Sequence, residues 1–148
     1  MTVTTTSITL ERATLIVSEA LAHGTAHGFD PLTAAVLGQG GHLVALQRQD
    51  GSGILRPQIA IAKAWGVLGL PNREIARRAA AAPAFFTSVA ALAEGRILDV
   101  PGGVFTRDSA GGILGAVGST GAATSLEDER AAMAGIEAAG PSSDTGEV

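Results

Sequence analysis

Twice in this chain a short aliphatic run meets a glycine-bearing turn and is answered by a second short run. Residues 32–37 lead into Gly38-Gln39-Gly40-Gly41 and then into His42-Leu43-Val44-Ala45-Leu46-Gln47-Arg48. Residues 104–107 lead into Asp108-Ser109-Ala110-Gly111 and then into residues 112–118. Each pattern predicts a β-hairpin, because apolar runs bracketing a glycine-rich turn favour antiparallel pairing.

Around the hairpins the spacing turns helical. Leu10, Ala13, Val17, Ala20 and Leu21 share one face, with Thr9 placed to cap the helix and Glu11 in its first turn. Gly24 and Gly28 are expected to end it. Pro57 suits the first turn of a helix reaching about Leu68. Asn72 is expected to cap a short Ala-rich helix ending near Pro83, followed by a helical piece over residues 84–93 and an extended stretch over 96–100. Thr124-Ser125-Leu126-Glu127 is a capping box that opens a last helix to about Ala139. Hairpins require antiparallel pairing, so helix, hairpin, helices, hairpin, helix predicts an α+β fold with helices packed on one antiparallel sheet. Residues 1–7 read as a polar lead-in, 8–139 as a single domain and 140–148 as a disordered tail.

With 148 residues the chain can bury one sizeable core. Only 16% of residues are charged against 46% hydrophobic, too few to cover the surface, so some apolar surface is expected to face another copy. The predicted partner is therefore the chain itself. A net charge of −4, with nine scattered arginines and a single lysine, argues against nucleic acid, whose phosphates need a basic face. The absence of cysteine excludes disulfides and thiolate chemistry. No basic-then-apolar leader opens the chain and no apolar stretch has the length of a membrane span, so a cytoplasmic protein without a membrane partner is expected.

Lys63 stands out, because it lies within Ile59-Ala60-Ile61-Ala62-Lys63-Ala64-Trp65, an almost wholly apolar helix. It reads either as a desolvated amine that holds an anion or moves a proton, or as a snorkelling side chain. Arg48 and Asp50 are two apart at a strand end and read either as a structural pair or as an anion contact with its orienting carboxylate. Gly102 and Gly103 read as a tight turn or an anion cradle. Asp128 and Glu129 open the last helix, where carboxylates favour the dipole and paired ones can serve as acid and base. His23 and His27 are four apart, a metal-like spacing if the helix persists that far, though the glycines point instead to a frayed, solvated end. His42 follows a glycine turn and is expected to be exposed.

With these residues in view, the chain resembles the small haem-binding-protein family that includes HbpS, the glycolate-operon protein GlcG and the C-terminal domain of PduO proteins. The resemblance is carried by residues 41–51, by Ala60-Ile61-Ala62-Lys63-Ala64, by Val100-Pro101-Gly102-Gly103, by residues 112–121 and by Asp128-Glu129-Arg130-Ala131-Ala132-Met133-Ala134-Gly135. It implies a profilin-like layout, an antiparallel sheet of about five strands flanked by helices, in homo-oligomers from dimers to octamers. It also implies a small-molecule ligand, with haem or a related tetrapyrrole as the possible cofactor. By position, Arg48, Asp50, Lys63, Gly102, Gly103, Asp128 and Glu129 match the family's shared polar and glycine positions. The chain departs from the family pattern at Gly38-Gln39, Gln49 and Trp65-Gly66. Axial ligands for a haem iron would have to come from His23, His27, His42 or Met133. The alternative is a cofactor-independent isomerase or lyase acting on a small carboxylate or oxo-acid, with Lys63, Arg48 and Glu129 holding the anion and moving a proton.

Overall fold

The computed structural model describes residues 6–70, 72–98 and 100–146, the side chains of 72 and 73 excepted. Helix α1 (Leu10–Ala26) starts at Thr9, whose hydroxyl accepts from the Arg12 N–H. Strands β1 (Thr33–Gly38) and β2 (Leu43–Arg48) form the first hairpin, and β3 (Gly103–Arg107) and β4 (Ile113–Thr120) form the second. The two turns are built alike. In each, a positive-φ glycine, Gly41 or Gly111 at +84°, hydrogen-bonds back three residues. One residue then bulges from the returning strand, because Leu37 faces Leu43 where Val36 faces Ala45, and Arg107 faces Ile113 where Thr106 faces Gly115. A positive-φ glycine coupled to a bulge is the usual construction of a short hairpin loop.

β1 and β4 pair antiparallel at the centre, giving a five-stranded antiparallel sheet ordered β2-β1-β4-β3-β5. The fold is α+β, as expected. Alternation along β1 sorts the helices onto two faces. Ala34 and Val36 join the cluster formed with Ile16, Val17 and Ala20 of α1 and Ala132 and Ile136 of α5 (Ser125–Ala138). Leu37 points the other way, into a cluster with Ala64 and Val67 of α2 (Arg56–Gly69). Both helix layers pack closely because small residues stand at the contacts. A Cβ on Gly118 would lie 1.9 Å from the Ala60 carbonyl oxygen of α2, and one on Gly135 would lie 2.4 Å from the Ile16 carbonyl oxygen of α1.

Helices α3 (Asn72–Ala81) and α4 (Pro83–Leu92) follow α2 and enclose a third, smaller cluster around Ile75, Ala93 and Ile97. The cap expected of Asn72 lies outside the described side chains.

Three expectations give way. Residues 96–100 form no strand where they are described; Arg96 instead closes a turn onto the Ala93 carbonyl. The tail expected to be disordered from residue 140 carries β5 (Ser142–Asp144), which pairs with β3. Arg107 secures it by donating to Asp144 at 2.6 Å. Helix α1 also continues through Gly24 to Ala26. Gly24 packs against Leu32, where a Cβ would meet Leu32 Cδ1 at 2.5 Å, so this glycine serves close packing rather than termination.

Candidate functional site

The ends of β1, β2 and β4 meet at one edge of the fold, since Thr33 pairs with both Arg48 and Thr120. Most of the residues singled out from the sequence gather there. Lys63 comes from the middle of α2 and is buried, 3% exposed. Its ammonium donates to Asp128 Oδ2 at 2.9 Å and to the Ser119 carbonyl at 3.1 Å. Gly102, at φ +121°, makes room for it: a Cβ there would sit 2.7 Å from Lys63 Nζ. Gly102 thus accommodates a lysine. Gly103 simply begins β3.

Asp128, in the first turn of α5, and Glu129, the residue after it, are both buried. The Thr124–Glu127 capping box starts that helix as expected, and Asp128 Oδ1 accepts from the Ala122 N–H at 2.9 Å. Because α2 and α5 lie on opposite faces, the Lys63–Asp128 pair reaches around the end of β4 and ties the layers together. Burial holds the Lys63 amine below the ordinary lysine value, and nearby Arg56 pushes in the same direction. Asp128 and Glu129 oppose that shift by favouring the charged form.

Reasoning from sequence missed the residues that extend this polar belt. Arg56 Nη1 donates to Thr120 Oγ1 at 2.8 Å, and Thr33 Oγ1 shares a 2.8 Å hydrogen bond with Ser52 Oγ. Arg48 Nη1 donates to the Ser52 carbonyl. Arg48 and Asp50 therefore do not form the structural pair considered from their spacing; Asp50 lies in the turn after β2. Strand alternation offered the only signal for Thr33 and Thr120, and it says nothing about which strands become neighbours.

A second group forms beside this belt at the end of α1. Gln49 joins the two by donating from Nε2 to Thr25 Oγ1 at 3.0 Å and accepting the Leu32 N–H at 2.7 Å. The His23 and His27 rings stack with centroids 4.0 Å apart, and Phe29 sets its edge against His23. His27 Nδ1 lies 2.8 Å from the His23 carbonyl oxygen. A carbonyl only accepts, so Nδ1 carries the hydrogen and the neutral ring keeps a lone pair on Nε2. Burial, and then His27, hold the His23 imidazole below its ordinary value. Next to this pair, Thr25, Phe29, Pro31, Gln49 and Asp50 line a hollow of about 420 Å³.

Two further hollows flank Trp65. One of about 360 Å³ lies among α2, α3 and α4, and one of about 260 Å³ lies under the β1–β2 turn at Gly40 and Gly41. His42 is exposed in that turn. Met133 is half-buried against the α1–α5 core. Lys63 lines none of these three hollows.

An antiparallel sheet with helices on both faces, a polar belt at one sheet end and a half-buried and an exposed imidazole beside it define a small α+β domain. The chain belongs to the HbpS-like family: the family model described as "Haem degrading protein HbpS-like" matches residues 8–137. Among solved structures, a double mutant of Streptomyces reticuli HbpS is similar at 27% identity, with 93% of this chain and 89% of that chain covered and a TM-score of 0.74. Klebsiella pneumoniae protein ORFY shares the fold at 21% identity, with 93% and 94% covered and a TM-score of 0.79. The PduOC:haem complex shares it at 16% identity, with 91% and 96% covered and a TM-score of 0.78. No curated protein matches the chain.

Proposed function

We propose that this chain is a cytoplasmic binding domain for haem or a related tetrapyrrole, acting as a carrier or sensor. The observation that carries this reading is His27: its Nδ1–H is held by the His23 carbonyl, so Nε2 of this exposed ring would be the atom that holds the iron. Haem-ligating histidines depend on this kind of outer hydrogen bond, which sets the tautomer and ring orientation. The residues around it suit the group. Phe29 and Pro31, which line the hollow together with Thr25, Gln49 and Asp50, would offer apolar surface to a porphyrin face, and Arg48, at the end of β2 and outside that lining, would be a cation for a propionate. Bound there, the iron would supply ligand-exchange and redox chemistry, while the chain's own residues orient and retain the macrocycle.

Membership of a family described as haem-degrading supports the reading, as does the likeness in fold to PduOC, a protein solved in complex with haem. The alternative of proton transfer at Lys63, with Arg48 and Glu129, has less support because Lys63 is closed in and lines no hollow described above.

Haemin titrated into the full-length protein is expected to give a saturable Soret shift at one equivalent. His27→Ala should abolish it, and His42→Ala should leave it unchanged. A shift that survives His27→Ala would rule out the axial assignment, and a non-saturable response in the parent protein would rule out the haem site altogether.

We further propose that the domain works as a homo-oligomer, between dimer and octamer. Ile54 is 90% exposed and Leu55 65% exposed where β2 passes into α2, and Leu126 is 49% exposed on the neighbouring start of α5. Apolar side chains placed so openly at one end favour cover by another subunit. Light scattering after size exclusion should give a mass of at least two chains, reduced by Leu55→Glu. A single-chain mass at all concentrations would count decisively against it.

A further inference from the structure

The hollow among α2, α3 and α4 takes no part in the haem reading and has its own chemistry. Its walls are Trp65, Ile75, Phe85, Phe86, Val89 and Ala93, and its volume of about 360 Å³ falls in the range of small-molecule sites. It is open along α4, none of whose residues is buried.

Cations stand around the opening. Arg78 lines the hollow and is half-exposed, so its guanidinium sits at the rim. Arg77 and Arg78 both bind Glu74, at 2.8 Å and 2.7 Å, so one carboxylate serves two guanidinium groups. The Arg96 guanidinium lies 4.5 Å above the centre of the Trp65 ring and forms no ion pair among the described residues. Glu94 is the other carboxylate among the described residues of this stretch, exposed on the turn that precedes Arg96. Among the described residues, Arg78 stands at the hollow, Arg96 stands over Trp65 and Arg77 shares Glu74 with Arg78, so on these segments three guanidinium groups meet the two carboxylates of Glu74 and Glu94.

An apolar interior with surplus cations at its lip is complementary to an amphiphile of opposite charge. We infer that this hollow binds a monocarboxylic acid with an apolar body, its chain or ring lying against Trp65 and the two phenylalanines and its carboxylate held by Arg96 and Arg78. The site is independent of His27, so haem binding and acid binding can succeed or fail separately.

Trp65 is the only tryptophan in the chain and lines the hollow, so its emission reports occupancy directly. The test titrates haem-free, full-length protein with decanoate, decanol and decylamine, which share one body and differ in head group. Decanoate should produce a saturable shift in Trp65 emission with an affinity about tenfold above that of decanol, the scale of a charge-assisted hydrogen bond. Decylamine should bind more weakly than either. Arg96→Gln and Arg78→Gln, both exposed changes, should each weaken decanoate about tenfold while leaving decanol unaltered. Ala93→Phe should fill the hollow and remove the response to all three.

Equal affinity for decanoate and decanol would overturn the carboxylate assignment. No saturable response, or a response that persists in folded Ala93→Phe protein, would overturn the site. A Trp65 shift driven by protein concentration alone, and not reversed by decanoate, would assign the hollow to a second copy and overturn it as well.

Discussion

Gly118→Ala should cost about 3 kcal/mol or more of folding stability, measured by urea unfolding, although it adds a single methyl group. The methyl would fall 1.9 Å from the Ala60 carbonyl oxygen and 2.9 Å from the Ala64 nitrogen, both backbone atoms of α2. A flexible side chain could swing aside, but a helix backbone cannot, so all of α2 must lift off the sheet. That movement also withdraws Ala64 and Val67 from the buried cluster with Leu37 and Ala116. Gly69, where an added Cβ would meet nothing within 4 Å, is the control: Gly69→Ala should be close to neutral. If Gly118→Ala unfolds at the same urea concentration as the parent, the tight packing of α2 on β4 described above is wrong.

Asp128→Ala should be comparably damaging, costing about 3–5 kcal/mol, because it takes from the buried Lys63 ammonium the carboxylate that accepts from it at 2.9 Å. It also removes the acceptor for the Ala122 N–H. The double replacement, Lys63→Met with Asp128→Leu, should recover part of that loss, since an apolar pair of similar volume carries no desolvation penalty, while buried Glu129 gives up the Lys63 charge beside it. If the double variant is no better than Asp128→Ala alone, charge burial is not the source of the cost.

The same pair makes stability depend on pH. Burial lowers the Lys63 value in the folded chain below the ordinary 10.5, so between those two values the unfolded chain holds more protons. Stability contributed through Lys63 should therefore rise with pH across that interval, and stay level below it and above 10.5. Unfolding free energies of the parent and Lys63→Met proteins, measured across alkaline pH, should diverge in favour of the parent. Parallel curves would mean that the folded and unfolded chains hold this proton equally well.

Much of this architecture was legible in the residues. The hairpins were marked by turn glycines between aliphatic runs, and the caps at Thr9 and Thr124 by their local spacing, both short-range signals. Lys63 was conspicuous as a lone charge on an apolar helix, but its partners were not, because Asp128 is 65 residues away and reaches it only after the sheet has formed. β5 left no trace: three polar residues carry no alternation, and β3 supplies the order by pairing with them. Gly24 misled for a related reason. Glycine breaks an isolated helix, yet here the neighbouring Leu32 leaves no space for a larger residue. The stacked imidazoles follow directly from that persistence, as His23 and His27 lie one helical turn apart.

The Lys63–Asp128 link also bears on how the molecule comes apart. Its two ends belong to different helix layers, so neither layer can swell away from the sheet while the other stays closed without exposing or stranding a charge. Loosening is then a shared event for α2, β4 and α5, and their backbone amides should exchange with solvent deuterium at a common, slow rate. Helix α4, with no buried residue and no such tie, can open on its own and trade its amide protons early. The chain combines a core that opens as one cooperative unit with an appendage that opens locally.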